Sequence, residues 1–108
     1  KKNLQARNYV LAAERHKFIN LLRKYPELGI IISDVLKNVK ERLVVLFGSY
    51  AKFSAKKDSD IDIYIETPKR GAKESAEKIN SRISVKIGTF DFDSPLVKEI
   101  IKDHIILR

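Results

Sequence analysis

The chain has 108 residues, 44% hydrophobic and 33% charged, enough for one compact domain with a buried core and too few for two ordinary ones. It contains no cysteine, which excludes a disulfide frame and a thiolate metal site, and no apolar run nears the roughly 20 residues that cross a bilayer. A net charge of +8 suits a polyanionic partner such as a nucleotide or nucleic acid, yet the lysines are scattered from Lys1 to Lys102 as on solvated helix faces.

The amino-terminal KKNLQARNYV lacks the apolar segment of a signal peptide, so a cytoplasmic protein with no membrane partner is expected. A chain that opens at Lys1 without methionine reads as a piece of a longer one. From Asn8 to Lys24, Tyr9, Val10, Ala13, Phe18, Leu21 and Leu22 fall near helical spacing, and Pro26 suits the first turn of a second helix. Leu28, Ile31, Ile32, Val35, Leu36 and Val39 then repeat at i, i+3, i+4, i+7 and i+8 and predict an amphipathic helix.

Leu43 to Phe47 is a continuous apolar run closed by Gly48, the pattern of a strand buried on both faces. Ile61, Ile63 and Ile65 alternate with Asp62, Tyr64 and Glu66, predicting a strand whose polar face carries carboxylates and which stops at Thr67-Pro68. A loop from Lys69 to Gly71, a polar helix from Ala72 to Asn80 and a strand marked by Ile83, Val85 and Ile87 follow. Asp93-Ser94-Pro95 starts a helix through Leu96, Val97, Ile100 and Ile101, and His104 to Leu107 closes the chain as a short strand. The fold expected is α+β, a mixed sheet with helices packed on one face, with residues 1–40 as helices leading into a core of residues 41–108.

The chemistry concentrates between Val44 and Glu66. Side chains on a strand alternate, so Asp60 and Asp62 share one face while Ile61 and Ile63 point to the core. Two adjacent carboxylates with no basic partner repel each other, which is tolerable when they share a divalent cation such as Mg²⁺. Gly48-Ser49 at the end of the preceding strand offers a close backbone approach, N–H donors in a tight turn and a hydroxyl, all suited to a phosphate. Lys52, Lys56 or Lys57 supplies positive charge from the same connection. Together these parts fit phosphoryl or nucleotidyl transfer, against the plainer reading of a surface Asp-x-Asp closing a loop.

Gly48-Ser49, ten residues, then Asp60-x-Asp62 resembles the signature of the DNA polymerase β-like nucleotidyltransferase superfamily, and GSYAK…SDIDIYIE is similar to its minimal nucleotidyltransferase (MNT) branch. The resemblance implies the polymerase β-like core, Mg²⁺ held by Asp60 and Asp62, and Gly48 and Ser49 on the triphosphate of an NTP, beside which Lys52 is the candidate for a further phosphate contact. It also implies transfer of a nucleoside monophosphate, AMP from ATP, to an acceptor hydroxyl, and since the branch includes antitoxins that adenylylate a toxin, a protein acceptor is among those it implies. The chain departs from the pattern twice. Lys52-Phe53 stands where minimal members show Arg-Gly, keeping the charge without the bidentate fork. The third carboxylate expected on the next core strand is also missing: with Ile83, Val85 and Ile87 facing the core, Lys86 points to the site. A bulge at Gly88 would instead turn Phe90 and Phe92 inward and bring Asp91 or Asp93 round, with Asp91 the candidate catalytic residue.

Three functions follow. The first is the Mg²⁺-dependent transferase. The second is a degenerate nucleotide- or partner-binding module of a regulatory or antitoxin-like protein, favoured by Lys86 and by Arg7-Asn8-Tyr9, which resembles the junction after a DNA-binding winged helix and would bring nucleic acid through a preceding segment. The third, an RNA-binding fragment driven by charge, leaves the Asp pair unexplained. His16 and His104 have no ligand spacing and read as surface or packing residues, and Tyr9, Phe18, Tyr25, Phe47, Phe90 and Phe92 as core; Tyr64 shares the carboxylate face, where bordering a nucleotide pocket is the alternative to a packing role.

Overall fold

The computed structural model describes residues 2–108, with side chains from Ala12 onward. Helices α1 (Lys2–Lys24) and α2 (Leu28–Asn38) lead into β1 (Val44–Phe47), the four-residue helix α3 (Gly48–Ala51) and β2 (Ile61–Glu66). Then come α4 (Arg70–Glu77), β3 (Ile83–Gly88), α5 (Pro95–Lys102) and β4 (Ile105–Ile106). The expected helices and strands all form, with α1 starting before Asn8 and α4 starting at Arg70, inside the expected loop over 69–71, and ending at Glu77 rather than Asn80; the side chains of Arg7, Asn8, Tyr9 and Val10 lie outside the described residues.

All four residues of β1 are buried because none offers a polar side to water. The strand therefore sits inside the sheet, whose order is β3-β2-β1-β4, antiparallel to β2 and β4, while β2 and β3 run parallel through the α4 crossover. Alternation sorts the side chains into two layers. Val44, Leu46, Ile61, Ile63, Ile65, Ile83 and Val85 face α1, α2 and α4, where Leu21, Leu28, Ile32, Val35 and Ala76 close the main core. Each fully buried isoleucine there contributes roughly 2 kcal/mol.

Val45, Phe47 and Tyr64 face the other way, where α5 covers them with Ile100 and, at its edge, Leu96. The mixed sheet thus carries most of its helices on one face, as expected, and α5 adds a smaller layer over the face that bears the carboxylates. Tyr64 is 2% exposed and donates to the Thr89 carbonyl at 2.9 Å, so it belongs to this layer. Phe92 does not join a core: it is 67% exposed, its ring meeting only the edge of Phe90, because the turn after β3 carries it past the end of the sheet.

Side chains close both outer strands. The outward N–H of Val85 on β3 donates to Glu77 at 2.9 Å and its carbonyl accepts from Lys73 at 2.9 Å. On β4 the Ile106 N–H donates to Glu14 of α1 at 3.3 Å, and Lys17 reaches the His104 carbonyl at 3.4 Å. Arg108 ties the last strand to the end of α2, donating to the carbonyls of Leu36 at 2.9 Å, Glu41 at 3.1 Å and Val39.

The connection from α3 to β2 begins with a strained residue. Ser54 N–H bonds the Ser49 carbonyl at 2.9 Å and Phe53 N–H the Tyr50 carbonyl at 3.1 Å, a helix ending whose turning residue adopts a left-handed backbone. That residue is Phe53, at φ +59°, where glycine is the usual occupant. Its ring packs against the main core, and Lys24 holds its carbonyl at 2.6 Å. Packing therefore opposes backbone strain at one position. Phe53→Ala should destabilise by about 2 kcal/mol and Phe53→Gly by about 1 kcal/mol less than that, since only glycine relieves the strain. Denaturant unfolding measures both; equal losses would show that Phe53 is not strained.

Candidate active site

The site starts from the pairing of Phe47 with Asp62 across β1 and β2. The residue after Phe47 is Gly48, at φ +73°, and it lies directly beneath the Asp62 side chain. A Cβ on Gly48 would fall 3.0 Å from Asp62 Cγ and overlap its Oδ2. Glycine is needed there twice over, for the backbone turn and for the space. The ten residues between Ser49 and Asp60 are α3 and the loop that returns the chain to the antiparallel partner strand, so the spacing in the sequence is the length of that excursion. Lys24 and Tyr25 at the end of α1 hold the excursion in place, the Tyr25 hydroxyl accepting from Ala55 N–H at 3.1 Å.

Ser49 is the second residue of α3, whose first-turn N–H groups have no acceptor within the helix. Lys52 follows α3 and is exposed, its Nζ 4.0 Å from Glu99 Oε1 on α5. Asp60 is exposed just ahead of β2, and Asp62 is half-buried. Burial raises the Asp62 carboxyl above its ordinary range; Asp60 and, more weakly, Glu99 push the same way, and Lys86 opposes them. Gly48, Ser49, Asp60 and Asp62 are thus gathered at one end of β1 and β2, with Lys52 at the rim.

Asp91 is not gathered with them. Residues Ile61 to Glu66 pair one for one with Ile83 to Gly88, so the bulge that would have shifted the parity does not form. The pleat places Lys86 on the carboxylate face, opposite Tyr64. Asp91 follows Gly88, the partner of Glu66 at the far end of β2, and its Oδ1 accepts from Asp93 N–H at 2.9 Å within its own turn. The carboxylate that does approach is Glu99. It has no signature in the sequence, because α5 reads as an ordinary amphipathic helix and only the packing of Leu96 and Ile100 on the sheet face that bears Asp62 brings it near.

Among the described residues no three Asp, Glu or His side chains converge to form a metal site on their own. Two carboxylates over a hollow kept open by glycine nevertheless suit a hard divalent cation that takes its remaining ligands from water and a phosphate. An apolar cleft lined by Leu43, Val45, Phe90, Ile100 and Ile106 includes none of these residues.

Residues 28–108 match the family described as the nucleotidyltransferase domain, a stretch that takes in α2 as well as the sheet. A Methanocaldococcus jannaschii protein provisionally named a protein adenylyltransferase is 39% identical over 79 residues, 69% of this chain and 77% of that one. A crystal structure of a toxin–antitoxin with AMP-PNP superposes at a TM-score of 0.49 and 25% identity, over 86% of this chain and 71% of the other.

Gly48→Ala should lower stability by about 2 kcal/mol or more through strain and overlap, whereas Gly71→Ala, in open space on α4, should be neutral or stabilising by up to about 0.5 kcal/mol. Equal effects in thermal unfolding would refute the crowding at Asp62. For Asp62 the raised folded pKa means that the native state holds the proton more tightly than the unfolded one. Stability is therefore lost as pH rises from the ordinary carboxylate value through the raised one, and the full cost stands at neutral pH. Asp62→Asn should then raise Tm by a few degrees at pH 7 without divalent cations, and the gain should shrink toward pH 3; a lowered Tm at pH 7 would contradict it.

Proposed function

This chain belongs to the nucleotidyltransferase domain family, and we propose that it moves AMP from Mg-ATP to a hydroxyl on a protein acceptor. The observation that carries this reading is the seating of Asp62 over Gly48, which sets a phosphate-sized turn against two carboxylates. Ser49 and the free N–H groups of α3 would receive the triphosphate, and Lys52 would neutralise part of its charge. Asp60 and Asp62 would hold Mg²⁺, which when bound would screen the phosphate oxygens against the incoming hydroxyl.

In the transfer the acceptor oxygen bonds to the α-phosphorus, the bond from that phosphorus to the oxygen bridging to the β-phosphate breaks, pyrophosphate leaves with that bond's electron pair, and the hydroxyl proton passes to water. The chain's share is positioning. A protein acceptor is supported by the name of the M. jannaschii relative. No helix of the described residues is long and apolar enough to cross a membrane.

A second reading rests on Lys86, which stands on the carboxylate face where a third acidic group would assist turnover. It is a nucleotide- or partner-binding module that keeps the phosphate turn without transferring.

Incubation with ATP labelled at the α-phosphate, Mg²⁺ and candidate acceptor proteins separates the two. Transfer is expected, and Asp62→Ala should reduce it at least about 100-fold. Nucleotide binding with no transfer to any acceptor would favour the module, and full transfer by Asp62→Ala would remove Asp62 from the machinery.

A further inference from the structure

Lys86 is a charge on the carboxylate face to which the proposed transfer assigns no task. Its position is set by unbroken parallel pairing, Asp62 with Ser84 and Tyr64 with Lys86, so Ser84 and Lys86 rise on the same side as Asp62. Two residues along and one strand across puts the Lys86 Cα at about 8 Å from that of Asp62, within reach of a four-carbon side chain. Of the neighbours on that face, Ser84 is small and Tyr64 is buried with its hydroxyl bound to the Thr89 carbonyl, and the Lys86 charge is close enough to act on the Asp62 carboxyl. Lys86 itself is exposed, and among the described residues it enters none of the ion pairs.

Metal-assisted transfer to phosphorus often uses two divalent ions a few ångströms apart, one on each side of the displacement. Here the acidic groups suffice for one. Asp60 and Asp62 carry two negative charges, Asp91 lies at the far end of β2, Glu99 approaches but lies 4.0 Å from the Lys52 ammonium, and no three acidic groups converge as a metal site among the described residues. A second divalent ion would face an ammonium instead of a ligand.

We infer that Lys86 occupies the place of a second cation, so that the Asp60–Asp62 pair holds a single divalent ion and the Lys86 ammonium contacts the nucleotide phosphates directly. The inference rests on the proposed metal role of that pair. It makes Lys86 a substrate-binding residue rather than a lesion, and it fixes the metal count at one per chain.

The test is equilibrium dialysis of Mn²⁺ against the full chain at saturating α,β-methylene ATP, with the analogue on both sides of the membrane and bound Mn²⁺ counted by electron paramagnetic resonance. The wild-type chain should bind one Mn²⁺, Lys86→Met one, and Lys86→Asp and Lys86→Glu two, with circular dichroism and Tm confirming that each variant is folded. Lys86→Met should also weaken analogue binding about tenfold, the effect of one lost charged contact. Two ions on the wild-type chain, one on both acidic variants, or unchanged analogue affinity in Lys86→Met would overturn the inference while leaving the metal role of the pair intact. No Mn²⁺ bound to the wild-type chain beyond that carried by free analogue would instead overturn the role of Asp60 and Asp62, and the inference with it.

Discussion

The seating of the Asp62 carboxylate on the bare Cα of Gly48 is the contact from which the rest of the site follows. It requires the apolar strand β1 to end where it does, a left-handed turn at the next residue, and the return of β2 in antiparallel register. The buried isoleucines of β2 hold that register from below, since a slip of one residue would send Ile61, Ile63 and Ile65 to the solvated face. Core packing and site geometry are therefore one constraint seen from two sides of a strand.

The site stores electrostatic discord that the core must absorb. Burial and the charge of Asp60 both disfavour an ionised Asp62, and α5 presses Glu99 toward the same region. A chain selected for stability alone would not place three carboxylates over an apolar layer built from Phe47, Tyr64 and Ile100. Such local conflict is a mark of a functional site rather than of a site built for stability. Lys86 relieves part of it from within the chain.

Much of this was legible in the residues. The five-residue apolar run, the alternating isoleucines and the Gly-Ser to Asp-x-Asp spacing sufficed for β1, β2 and their shared site, because periodicity reports burial directly. Strand parity also pointed to Lys86, and the continuous pairing of β2 with β3 bears that out over the bulge that would have favoured Asp91. What could not be read was tertiary. The backbone angle of Phe53 is imposed by a helix ending only four residues after Gly48, and the approach of Glu99 depends on which sheet face α5 covers. Phe92 looked like core because it is aromatic; whether an aromatic residue finds a partner layer is decided by where its turn ends.

On the outer strands the outward groups of Val85 are occupied by Glu77 and Lys73, and those at the β4 end by Glu14 and Lys17. At these positions the sheet offers no template onto which an extended peptide could be added. On the proposed reading, an acceptor protein would instead present its target residue from a projecting loop or helix end, recognised by side chains around the Gly48–Asp62 hollow. Selectivity among acceptors would accordingly be written in the charges of that rim, and would weaken as ionic strength rises.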